Sequence, residues 1–193
     1  MKRTIILVSL CLGAGQAMAG GPSAVATEPP VAPMVAPAGF DWTGFYVGGS
    51  VGSGTMSDSS SDYDYDHLGL QAGYLRDFGT TVLGGELAYA KGDFDTPPGS
   101  DFSSTRLKLI GGLGSGSVLP YLFAGLSNIE INNPGSSFSD TAMIYGLGAR
   151  FALGQSQRHV IGLEYLVETK DNFDGTGEDI DTSEFSLRYD FRF

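Results

Sequence analysis

The 193-residue sequence predicts an all-β fold, an eight-stranded antiparallel up-and-down transmembrane β-barrel, from three observations. The first is its end: Phe185, Leu187, Tyr189, Phe191 and Phe193 alternate with Glu184, Ser186, Arg188, Asp190 and Arg192. Successive side chains of a strand point to opposite faces, so one face is apolar and aromatic and the other ionic or small. About ten such residues are what a tilted strand needs to cross a hydrocarbon core. The second observation is that this alternation recurs along the chain. The third is a secretory signal at the start, with Lys2 and Arg3, an apolar run from Ile5 to Gly13, and the small-x-small site Ala17, Met18, Ala19. No later stretch approaches the roughly 20 apolar residues of a membrane helix, so strands must do the crossing.

In order along the chain, residues 1–19 read as the signal peptide, 20–41 as a Pro/Ala-rich periplasmic linker, and 42–193 as the barrel. Pro22, Pro29, Pro30, Pro33 and Pro37 make the linker extended and mobile. Cys11 falls in the signal behind bulky Leu10, which disfavours lipidation and leaves the exported chain without cysteine. Packing and sheet closure must then hold it together.

The first strand segment, Phe45 to Ser53, sets Phe45, Val47 and Val51 against Tyr46, Gly48, Ser50 and Gly52. The second, His67 to Leu75, puts Leu68, Leu70, Ala72 and Tyr74 outward; the third opposes Leu83, Leu87 and Tyr89 to Val82, Gly84, Glu86 and Ala88. In the fourth, Leu107, Leu109 and Leu113 oppose Arg106, Lys108 and Gly112. The fifth, Pro120 to Asn128, carries Tyr121, Leu122, Phe123 and Ala124 without clean alternation, so its facing stays open. The sixth sets Met143, Tyr145, Leu147 and Phe151 against Gly146, Gly148 and Arg150, and the seventh Ile161, Leu163, Tyr165 and Val167 against Gly162, Glu164 and Glu168.

The connections alternate too. Asp77–Thr81, Gly114–Val118 and Gly154–Gln157 read as tight turns, and Gly54–Asp66, Gly92–Ser103, Ile129–Thr141 and Asp171–Ser183 as long loops, the plan of an outer-membrane barrel with both termini in the periplasm. A soluble barrel of the lipocalin kind is the rival, because alternation does not say which face is outside. The polar face decides: it is mostly Gly, Ser and Ala with isolated charges, whereas a face in water should be thick with Lys and Glu. Turning Arg106, Lys108, Arg150 or Arg188 to lipid would cost about 2–4 kcal/mol each near the midplane. The 29 glycines fit a narrow lumen whose side chains must taper, and the net charge of −11 excludes nucleic acid as a partner.

The stretch Trp42, Thr43, Gly44, Phe45, Tyr46, Val47, Gly48, Gly49 after a Pro/Ala-rich lead, with the ending Tyr189, Asp190, Phe191, Arg192, Phe193, resembles the eight-stranded opacity-type, porin-like surface barrels of alphaproteobacterial outer membranes. The resemblance spans Trp42 to Phe193. It implies a non-enzymatic envelope protein, in some members a surface antigen, whose terminal Tyr189, Phe191 and Phe193 are the signal read by the barrel-assembly machinery. Outer-membrane lipid and lipopolysaccharide are the implied surroundings, and no cofactor is implied.

Three groups of residues are candidates for chemistry. The first is a lumen charge network of Glu86, Arg106, Lys108, Arg150, Glu164, Glu168 and Arg188, with Asp190 and Arg192 as further members. Counting from the loops pairs Glu86 with Lys108 and Glu164 with Arg188, which would plug the bore; the contrary reading is a gated ion path. Eight strands leave an interior just wide enough for side chains, which favours the plug. The second is the acidic loops, with Asp58, Asp62, Asp64, Asp66, Asp93, Asp95, Asp101, Asp171, Asp174, Glu178, Asp179 and Asp181, where Ca²⁺ or Mg²⁺ could bridge carboxylates to lipopolysaccharide phosphates. Phe173 and Gly175 break an EF-hand pattern, so a solvated surface without a dedicated metal site is favoured. The third is His67 and His159, at opposite membrane faces and without a serine two residues away, which suits no barrel lipase and gives no nucleophile, base and orienter. Trp42, Tyr74, Tyr89, Tyr121 and Phe193 read as interfacial aromatic girdles. The function expected is a structural or surface role in the envelope; a small-solute channel and an adhesin or surface antigen are the alternatives.

Overall fold

The computed structural model describes residues 40–57, 61–94, 101–133, 136–154, 156–172, 175 and 179–193. Residues 1–39, which read as signal peptide and most of the linker, lie outside them. Eight strands run in chain order: β1 Gly44–Ser57, β2 Asp62–Asp77, β3 Thr81–Phe94, β4 Asp101–Leu113, β5 Val118–Asn133, β6 Ser136–Leu153, β7 His159–Lys170 and β8 Ile180–Arg192. Each pairs antiparallel with the next, and β1 closes on β8 from Tyr46 opposite Arg192 to Ser57 opposite Asp181. Closure leaves no edge, so backbone donors and acceptors are satisfied within the sheet, as lipid requires.

Every alternating segment faces as its pattern predicts. Leu70, Leu109, Leu147 and Leu187 are exposed on the outer wall, while Glu86, Lys108, Arg150 and Arg188 are buried inside. The facing of β5 is settled by its neighbours: Leu122 and Leu126 point outward, and Leu119, Tyr121 and Phe123 are buried in the lumen. Local alternation failed there because both faces carry large apolar groups.

The connections differ from expectation. Gly54–Ser57 and Asp62–Asp66 pair across β1 and β2, Asp93 pairs with both Asp66 and Asp101, and β5 and β6 stay paired up to Asn133 opposite Ser136. Much of what reads as long loop is therefore strand that runs past the apolar belt. Outward residues there are polar, so the hydrophobic period vanishes while the ladder continues. Asp62, Asp64, Asp66, Asp93, Asp101 and Asp181 consequently stand on strands; Asp58, Asp95, Asp174 and Glu178 lie outside the described residues. On the other side the turns are tight. Ser115 and Val118 exchange backbone bonds of 2.9 and 3.2 Å around Gly116, whose φ of +58° suits the glycine.

Two apolar clusters close the lumen. At the turn end Trp42, Leu75, Val82, Leu119 and Val160 pack together, joined by Phe40 and Ala152. At the loop end Met56, Tyr65 and Phe102 do the same, with Ile131 and Ile180 against them.

Candidate functional site: the packed lumen

The turn-end cluster continues inward through Tyr46, Tyr121, Phe123, Ile144 and Leu166, and two ionic layers are packed against these groups. Strand register builds the central one. Glu86 on β3 stands opposite Lys108 on β4, while Glu164 on β7 and Arg188 on β8 lie two residues apart in the β7–β8 ladder. Room for them comes from facing glycines: a Cβ on Gly148 would stand 2.5 Å from the Tyr121 ring and 2.7 Å from the Leu163 carbonyl oxygen, so only glycine fits beneath that ring.

Glu86 is the hub. It meets Lys108 at 3.4 Å, Arg150 at 3.0 Å and Arg188 at 2.5 Å, and accepts the Tyr46 hydroxyl at 2.7 Å. Glu164 is the second anion, bound by Lys108, by Arg188 at 2.8 Å and by the Tyr121 hydroxyl at 2.8 Å. Asp190 completes the layer, 3.3 Å from Arg188 Nε and taking the Gln71 amide at 2.8 Å. The cations also lie over rings, Arg150 at 4.4 Å from Tyr46 and 5.1 Å from Tyr121, and Lys108 at 4.6 Å from Phe123. Three carboxylates thus face three cations, each buried charge held by partners that offset its desolvation.

The layer nearer the loops has a different balance. Arg106 grips Glu184 through two bonds of 2.8 Å, the planar fork geometry that favours arginine, and its Nε donates to Ser104 at 2.8 Å. Tyr65 donates to Glu184 at 3.2 Å and His67 Nε2 lies 3.3 Å from the same carboxylate. Glu168 reaches Arg106 only at 3.8 Å. Among the described residues, His67 Nδ1, Glu168 Oε1 and Thr182 Oγ1 in this layer are buried without a hydrogen-bond partner, as are Arg150 Nε, Arg188 Nε and Asp190 Oδ2 in the central layer and Arg192 Nε at the turn end.

The turn-end cluster is a cap made by the chain's entry into the barrel. Trp42 donates its backbone N–H to Asp77 at 3.0 Å and its indole N–H to the Gly116 carbonyl at 3.1 Å. Arg192 donates to the carbonyls of Asp41 at 2.8 Å and Thr43 at 3.2 Å, with its guanidinium over Phe40 and Trp42. Hydrogen bonds from the Thr43 hydroxyl and N–H hold the Asp41 carboxyl below its ordinary range. The end of the linker, Phe40 and Asp41, is thus fastened rather than free.

Glu86, Arg106, Lys108, Arg150, Glu164, Glu168 and Arg188 all lie in the lumen, as do Asp190 and Arg192. Two girdle assignments are corrected. Trp42 and Tyr121 are 1% and 3% exposed and belong to the lumen, because Trp42 precedes β1 and turns in over its mouth, and Tyr121 shares the inward parity of Phe123. Tyr89 and Phe193 are exposed on the wall, and Tyr74 lies on its outward side against Phe45 at 4.8 Å between ring centroids. Sequence reasoning omitted Glu184, His67, Tyr46, Tyr65 and Gln71 from the network. Except for Tyr65, which falls in the stretch read as loop, their place on the polar side of an alternation was the available signal. His67 sits inside the loop-end half, whereas His159 opens β7 at the turn end and meets the Tyr189 hydroxyl at 2.6 Å. Among the described residues no group of three or more His, Cys, Asp or Glu is placed to hold a metal ion.

A family model described as outer membrane protein beta-barrel domain matches residues 29–193. Among solved structures the chain is similar to Neisserial surface protein A (NspA), at 19% identity over 78% of this chain and 98% of that one, with a TM-score of 0.60. It is similar to the outer membrane protein OprG from Pseudomonas aeruginosa, at 14% identity over 80% and 98%, with a TM-score of 0.52. The outer membrane enzyme PagL also aligns, at 16% identity over 75% and 99%, with a TM-score of 0.50, so barrels of this shape include an enzyme. At these identities the likeness is one of fold. No curated protein matches.

Proposed function

We propose a sealed structural barrel, from the premise that this chain belongs to the outer membrane protein β-barrel domain family and crosses the outer membrane with its strands. The observation that carries the proposal is the filling of the lumen, in which ion-paired layers are packed among apolar groups that run from Trp42, Leu75 and Val82 at the turn end through Tyr121, Phe123, Ile144 and Leu166, with Met56, Tyr65 and Phe102 at the loop end. A hydrated ion entering from either side would first meet aromatic and aliphatic groups, then carboxylates and cations already committed to one another. Passage would require leaving buried charges unpaired, and that penalty is steep in a low-dielectric interior. The protein then serves the envelope as a wall element that presents an acidic rim on strand extensions. Outer-membrane lipid and lipopolysaccharide surround it, divalent cations screen the rim carboxylates diffusely, and the barrel-assembly machinery reads Tyr189, Phe191 and Phe193 on β8. Exposure of Tyr189 and Phe193 on the outer wall supports that last role.

The test is conductance of the refolded protein in a planar bilayer, after heat-modifiable gel mobility has shown that the barrel formed. A flat baseline is expected. Discrete current steps would establish the channel reading instead.

A further inference from the structure

We propose that the outer wall carries a binding trough for a hexopyranose at the β1–β8 seam, just above the apolar belt on the loop side. Register defines it. Val51 stands beside Leu68 on β2 and Leu187 on β8, and these belong to the lipid-facing belt. One step toward the loops, the same row changes chemistry: Asp66, Ser53, Phe185 and Tyr165 lie side by side on β2, β1, β8 and β7. One step further stand Asp64, Thr55 and Ser183. The small hydroxyl side chains form a floor, the two carboxylates one wall and the two aromatic rings the other.

At the inward positions between, β1 carries glycine. A Cβ on Gly54 would lie 2.6 Å from the Tyr65 ring and 2.7 Å from the Ser183 carbonyl oxygen, and on Gly52 2.3 Å from the Phe185 carbonyl oxygen. No larger residue fits there. The resulting hollow has a volume of about 410 Å³, within the roughly 300–1,000 Å³ range of small-molecule sites.

The lining selects the ligand. Among the described residues no Lys or Arg lines the hollow, so a phosphate or carboxylate would find Asp64, Asp66 and Glu184 and no cation. Carboxylates facing hydroxyl groups across a short span accept the paired hydroxyls of a sugar, and charged acceptors make the stronger hydrogen bonds. Tyr165 and Phe185 offer ring faces to the apolar side of a pyranose. Thr55 donates to Asp64 at 2.8 Å, which orients that carboxylate and leaves its second oxygen for the ligand. Seated at the edge of the apolar belt, the trough suits a sugar held at the membrane surface, whether free or as the head of a glycolipid.

The full chain, refolded in phosphatidylcholine nanodiscs, is titrated with methyl β-D-glucopyranoside while backbone amide shifts are followed by NMR. Saturable shifts confined to Ser53, Thr55, Ser183 and their neighbours are expected, and Tyr165→Ala and Asp66→Asn should each weaken the apparent affinity by about tenfold or more. Leu163→Ala, in the belt beneath, should leave it unchanged. Both trough positions point outward, so heat-modifiable mobility should confirm that the variants fold. Octyl β-D-glucopyranoside distinguishes the sources: tighter apparent binding than the methyl glucoside assigns the trough to a membrane-held sugar, and equal binding to a free one. Absence of saturable shifts with both probes overturns the proposal, as does binding that survives both trough substitutions, or saturable shifts with ethanolamine in place of the glucosides.

Discussion

The two ionic layers of the lumen solve the same problem with different balances. In the central layer Glu86, Glu164 and Asp190 face Lys108, Arg150 and Arg188, and Glu86 touches all three cations. In the loop-end layer a single guanidinium, Arg106, faces two carboxylates, Glu184 and Glu168. The difference teaches where rigidity resides. A cross-linked hub ties four strands across the bore, because Glu86 on β3 binds β4, β6 and β8 together. The other layer is a fork between β4 and β8 with a weakly attached third member.

This contrast can be broken by substitution, and the largest effect should come from the hub. Glu86→Ala removes the one carboxylate shared by three buried cations, leaving Arg150 with Asp190 only at 3.9 Å, and should destabilise the barrel by about 3–5 kcal/mol, read from urea unfolding of protein folded in lipid vesicles. Glu184→Gln keeps one acceptor for Arg106 but removes the charge and half the fork, and should cost about 1–3 kcal/mol in the same assay. Tyr46→Phe deletes a hydroxyl that bridges Glu86 and Arg150, with 2.7 and 3.0 Å bonds, without changing any charge. Its expected cost is about 0.5–1.5 kcal/mol. Glu168→Gln should be the mildest: neutralising a buried anion held at 3.8 Å leaves stability unchanged or raises it. Were Glu168→Gln as damaging as Glu86→Ala, the distinction between hub and fork would be lost.

Much of this was legible in the chain. Arg188 could be placed inside because Leu187 and Tyr189 had to be outside, and one inward residue fixes every second neighbour. The pairing of Glu86 with Lys108 followed from counting along two adjacent strands. Contacts across the bore could not be counted. Glu184 meets Arg106 and Tyr65 from β8, and Arg150 meets Glu86 from β6, between strands that share no ladder. Tyr121 was ambiguous because its neighbour Leu122 is equally apolar, and its inward facing is fixed by pairing with Gly112 on β4 and Gly148 on β6. The strand extensions were hidden for the opposite reason, polar groups on the outward face of a paired ladder.

What the sequence by itself determined was therefore the two-sidedness of each strand, the number of strands and the membrane they cross, since these depend on side-chain period and on the cost of placing charge in lipid. Only the tertiary structure decided how the bore is filled. Closing the sheet brings distant strands face to face across a distance that side chains can span, so the ionic hub, the tryptophan cap and the hollow at the seam exist only once β1 meets β8.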